Sequence, residues 1–83
     1  MSESERQEVF NKVVAIVAHK LKIDPKKIQE TSTLHDLGAD SLDLVEIIMK
    51  LEDDFNVQID DEKAEKLKNI GDVVTYVCAL VQQ

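Results

Sequence analysis

The chain has 83 residues, enough for one small domain, and 43% of them are apolar against 33% charged, an ordinary balance for a water-soluble globular protein. Its net charge of −7 is concentrated: residues 36–65 hold eleven acids and only two bases, Lys50 and Lys63, while the rest of the chain is slightly basic. Such a block repels nucleic acid and anionic membrane and attracts basic protein surfaces. No run approaches the ~20 apolar residues of a membrane span. Membrane insertion and nucleic-acid binding are therefore excluded as expectations.

Cys78 is the sole cysteine, so no intrachain disulfide is available and a reducing compartment is expected. The start, MSESERQEVF, has neither the basic and apolar stretches of a signal peptide nor the Arg-rich look of a transit peptide. The cytoplasm is the expected location. Aromatics are few (Phe10, Phe55 and Tyr76), so the core must be mostly Val, Ile and Leu.

In chain order, a first helix is predicted over about residues 4–19. Ser4 with Gln7 resembles a capping box, and Val9, Val13, Ile16 and Val17 form a helical stripe with Phe10 and Val14 beside it. Asp24-Pro25 breaks the pattern. A connection of roughly twenty residues then runs through Gly38, long for a compact domain. Ile23, Ile28, Leu34 and Leu37 are expected to pin it to the core. A second helix is predicted over about 41–55, stopped by Asn56. A short third helix fits about 61–67, with Ala64 and Leu67 facing inward. A fourth fits about 70–81, capped by Asn69 with Asp72 three residues on, and burying Val73, Val74, Val77, Leu80 and Val81. The expectation is an all-α fold, a small four-helix bundle of three main helices plus a short third helix, with a long loop between the first two and one domain spanning 1–83.

The second helix carries two apolar faces. At about 100° per residue from Leu42, the residues Leu44, Ile47, Ile48, Leu51 and Phe55 fall between roughly 140° and 240°, a stripe wide enough to face a core. Leu42, Val45 and Met49 fall at about 0°, 300° and 340°, among Glu46, Asp53 and Glu52. Exposed apolar side chains ringed by carboxylates suit a protein-docking patch. The other reading has this second stripe packed on the first, third or fourth helix, or standing as harmless scattered apolar surface.

Ser41 opens that helix. A serine there is ordinarily an N-cap, but a helix N-terminus also accommodates an attached phosphodiester, and Gly38 and Ala39 leave room for an approaching enzyme. No G-x-S-x-G elbow surrounds Ser41, and His35, six residues upstream, is a solvated loop histidine rather than a catalytic base. His19 has no evident partner. Calcium-loop registers from Asp36 and Asp54 fail at their sixth positions, Ser41 and Ile59, so no specific metal site is expected. Cys78 falls in the apolar pattern of the last helix and is expected in the core.

The stretch DLGADSLDLVEIIMKLEDDF, continuing through NVQIDDEKAEKL and NIGDVVTYV, resembles the acyl carrier proteins of dissociated (type II) fatty acid synthesis. The resemblance covers nearly the whole chain; the first helix matches only in character, and Lys66 and Lys68 are more basic than the pattern leads one to expect. It implies that Ser41 carries 4′-phosphopantetheine, transferred from coenzyme A by a separate magnesium-using holo-synthase. The arm's thiol would hold growing acyl chains as thioesters, so the protein would be a carrier and not an enzyme. It implies docking of fatty acid synthesis enzymes, through their basic surfaces, onto Asp40, Leu42, Asp43, Val45, Glu46, Met49, Glu52 and Asp53. An acyl pocket would be lined by Ile47, Leu51, Phe55, Ile59, Ala64, Leu67 and Tyr76. A monomer is expected. Two other readings stand beside this one: a specialised carrier of polyketide, peptide or other acyl groups, and an unmodified acidic adaptor that binds protein through the second helix.

Overall fold

A computed structural model describes residues 3–81. It is all-α, with helices α1 (Glu3–Leu21), α2 (Ser41–Phe55), α3 (Asp61–Ala64) and α4 (Ile70–Val81), and a 3₁₀ turn at Pro25–Lys27 in the long loop. Helix α1 packs against both α4 and α2.

The α1 stripe is buried as its spacing predicts: Val9, Val13, Val14, Ile16 and Val17 lie in the core and Phe10 flanks them. The helix already includes Glu3, so Ser4 lies within it and not at the N-cap position a capping box requires. Gln7 Nε2 instead donates to Asn11 Oδ1 at 3.0 Å. The helix runs to Leu21 and ends through Lys22, whose φ of 58° is left-handed. Ile23 N then donates back to Ala18 O at 3.1 Å, the six-to-one bond of a Schellman stop.

The loop from 22 to 40 is irregular but strapped down. Ile28 and Leu34 are buried, with Ile23 and Leu37 packed beside them. Its backbone pairs with the approach to α4: Leu34 N donates to Lys68 O at 3.2 Å, Ile70 N to Ser32 O at 2.9 Å and Gly71 N to Glu30 O at 2.9 Å. These bonds satisfy main-chain groups that would otherwise be orphaned beside the core. The last of them is a close approach: a Cβ on residue 71 would meet Glu30 O at 3.2 Å, so any larger residue would push the loop back by a few tenths of an ångström.

Helix α3 is shorter than the spacing predicts. No side chain caps it at Asp60, and its continuation tightens: Lys66 N bonds to Lys63 O and Leu67 N to Ala64 O, both i to i+3 at 3.1 Å. Ala64 and Leu67 still turn inward as partly buried residues. Helix α4 is capped as expected, Asp72 N donating to Asn69 Oδ1 at 2.8 Å. Val73, Val74, Val77 and Cys78 are buried and Leu80 is packed beside them, but Val81, in the last turn, is exposed. Among the described residues every buried side chain is apolar.

Candidate functional site

The start of α2 is built from the loop that precedes it. Gly38, at φ 92°, bends the chain into the helix, a conformation that a side chain would strain. Ala39 is buried and anchors the bend, so it is a packing residue as well as a small one. Asp40, not Ser41, is the N-cap. Asp40 Oδ1 accepts from Asp43 N at 2.8 Å, and Asp43 Oδ2 accepts from Asp40 N at 3.3 Å. This reciprocal box places Ser41 at the first helical position, exposed and relieved of any capping role. The N–H groups of Ser41 and Leu42 have no intrahelical acceptor, and the positive end of the helix dipole lies beside the hydroxyl.

Three faces run along α2. Ile47 and Leu51 are buried in the core, flanked by Leu44, Ile48 and Phe55. On the far side Leu42, Val45 and Met49 are exposed, at 65%, 54% and 61%. The second apolar stripe therefore does not pack on a neighbouring helix. Asp53 and Asp40 are exposed, Asp43, Glu46 and Glu52 half-buried. Glu46 pairs with Lys20 of α1. Glu52 Oε2 accepts from Ile59 N at 2.8 Å, fastening the segment after α2 back onto it.

Between these two faces lies a third. A cavity of about 450 Å³ opens between α2 and the α3 segment, lined by Ser41, Leu44, Val45, Ile48, Met49 and Glu52 on one wall and by Ile59, Asp61, Ala64, Glu65 and Leu67 on the other, with Leu34. Of the residues the resemblance put in an acyl pocket, Ile59, Ala64 and Leu67 line this groove. Ile47 and Leu51 do not, since they point into the core. Phe55 turns its ring to α1, where Lys12 Nζ lies 5.6 Å from its centroid. Tyr76 borders a separate depression with Lys63, Lys66 and Thr75. Leu34, Leu44 and Ile48, which their spacing assigns to the core, also line the groove. The helical wheel held the signal for α2: Ser41, Ile48 and Glu52 fall together at roughly 240–280°, a line leading away from the serine.

The groove suits an apolar chain. Its size lies in the range of ordinary small-molecule pockets, and its walls are mostly aliphatic. Its mouth holds a hydroxyl at a helix N-terminus, whose positive dipole end and free N–H groups partly offset the charge of an anionic group esterified there. His35 and His19 are exposed, and Cys78 is a buried free thiol. Among the described residues no cluster of potential metal ligands occurs, and no helix is long and apolar enough to cross a membrane.

Comparison with known proteins bears on the same region. Residues 11–77 match the family model described as "Phosphopantetheine attachment site". An acyl carrier protein from Clostridium acetobutylicum is 50% identical over 76 residues, covering 90% of this chain and 99% of that one. Another from Thermosynechococcus vestitus is 52% identical over 73 residues, covering 87% and 90%. Among solved structures, an acyl carrier protein from Thermotoga maritima superposes with a TM-score of 0.85 at 29% identity, covering 99% of this chain and 96% of that one.

Proposed function

The chain belongs to the acyl carrier proteins, the family with a phosphopantetheine attachment site, and from that premise we propose that Ser41 is the attachment residue. The observation that carries this is the displaced cap: Asp40 and Asp43 close the helix end between themselves, leaving the Ser41 hydroxyl exposed at the mouth of the groove. When bound, the arm supplies a terminal thiol that holds an acyl group as a thioester. The chain's own residues do the rest. The N-terminal N–H groups of α2 steady the phosphodiester charge. The aliphatic walls of the groove shelter the acyl chain, each buried methylene contributing about 0.8 kcal/mol. Ile59, Ala64 and Leu67 are the members of the expected acyl pocket that this assigns.

The exposed stripe of Leu42, Val45 and Met49, with Asp40, Asp43, Glu46, Glu52 and Asp53, is the surface we assign to partner enzymes with basic docking faces. Its support is the exposure of three large apolar side chains among carboxylates. Residues 1–83 act in this reading as one carrier domain, without catalysis of their own, serving fatty acid synthesis in the cytoplasm. Holo-synthase and the synthesis enzymes are the partners.

The test is modification itself. Incubated with coenzyme A, magnesium and a phosphopantetheinyl transferase, the purified protein should gain one phosphopantetheinyl group by intact mass, and Ser41→Ala should gain none. A chain that stays bare, or an alanine variant that is still loaded, removes the assignment. An intact mass that never changes is the outcome expected of an unmodified adaptor.

A further inference from the structure

Most carboxylates on the outer side of α2 that are engaged within the chain are bonded to neutral groups. Asp40 and Asp43 hold each other's backbone N–H, and Glu52 holds that of Ile59, so their charge still projects outward. Glu46, midway along the helix between Asp43 and Asp53, differs. Its Oε2 is paired with Lys20 Nζ from the last turn of α1. Two further ion pairs run elsewhere, Arg6 to Glu30 in the loop and Lys50 to Asp54 within α2. Lys20 also lies at the carbonyl end of its own helix, where the dipole favours a cation. Both side chains remain accessible, at 36% and 41%, so a docking partner would meet the pair and not a lone carboxylate.

We propose that Lys20 is a specificity-determining residue of the docking surface: it neutralises Glu46 in the free protein and selects basic partner surfaces whose cations straddle the centre of the face. This rests on the docking role assigned to α2 above. A partner cation aimed at Glu46 approaches an ammonium as well as a carboxylate and gains little. Cations aimed at Asp53, and at Asp40 with Asp43 on the other side, meet unopposed charge. The steering field is therefore split, and a partner with a neutral or acidic group opposite Lys20 is favoured over one with a central arginine or lysine.

The experiment measures association rate at low salt between this protein and a phosphopantetheinyl transferase with a basic docking surface. Lys20→Gln should associate about threefold faster than the unaltered chain, and the gain should vanish in a Glu46→Gln background. It should also shrink as salt is raised. A Lys20→Gln rate equal to that of the unaltered chain overturns the proposal, as does an equal gain in both backgrounds, which is the signature of net charge alone. Asp53→Lys separates the two levels of inference. If it slows association, the α2 face stands whatever Lys20 does; if it changes nothing, the face itself fails and the proposal with it. Melting curves confirm that each variant is folded.

Discussion

Ser41 and Asp40 are both of residue types that cap helices well, and only one of them can occupy the N-cap. The aspartate wins because Asp43 stands three residues beyond it and can return the bond to the Asp40 N–H. From sequence, a serine opening a helix after a glycine was legible, but its release from capping was not, since neighbouring caps are close in free energy and geometry decides between them. The other end of α1 shows a residue less suited to its place. Lys22 is exposed and holds φ 58°, a conformation in which a Cβ costs roughly 1–2 kcal/mol and a glycine costs nothing sterically. Part of that gain is lost to the greater freedom of glycine in the unfolded chain. Lys22→Gly should therefore stabilise the protein by about 1 kcal/mol, a rise in melting temperature of roughly 4–8 °C for a domain of this size. An unchanged or lower value would show that the Schellman stop carries no strain worth removing.

At the scale of elements, periodicity made α1, α2 and α4 readable because each has an aliphatic face meeting one core. The groove was harder to read. It is formed where α2 meets a segment that is barely helical; the wheel aligns Ser41, Ile48 and Glu52 on the α2 side, but no periodicity marks the facing wall. Phe55 illustrates the difficulty: by wheel it sits with Leu44 and Ile48, yet its ring is taken by Lys12 and α1. The groove wall from Ile59 to Leu67 packs on the core through Ile59, Ala64 and Leu67 and is tied to α2 by Glu52, which holds Ile59 N in a part-buried bond. Glu52→Ala leaves that N–H without its acceptor and should cost about 1–2 kcal/mol, whereas Glu52→Gln keeps a carbonyl oxygen and should cost less. The loss should appear locally. Amide exchange should accelerate at Ile59 and through the α3 segment, and stay slow in α1 and α4. Equal acceleration everywhere, or none at Ile59, would rule out Glu52 as the fastener of the wall.

For the whole molecule the governing quantity is charge against size. The structure measures 31 × 27 × 19 Å and the chain carries a net charge of −7. At an ionic strength of about 0.01 M the screening length is roughly 30 Å, so every carboxylate acts on every other; at about 0.15 M it is roughly 8 Å and only neighbours do. Two opposing effects follow from adding salt. The pairs Arg6–Glu30, Lys20–Glu46 and Lys50–Asp54 weaken, but all are at least partly exposed and pairs of that kind are worth about 1 kcal/mol or less each. Repulsion among the acids of residues 36–65 also weakens, and there eleven carboxylates face only Lys50 and Lys63 from the same segment. The second effect should win, so the melting temperature should climb between those two salt concentrations. Magnesium should achieve the same rise at lower concentration, because a divalent ion associates more closely with clustered carboxylates. Lys20→Gln sharpens the test, since it strips the central acid of its partner and should steepen the dependence on salt. A melting temperature flat across that range, in the parent and the variant alike, would mean that the acidic face is already balanced within the fold, and the long-range steering assigned to it would have no field to act through.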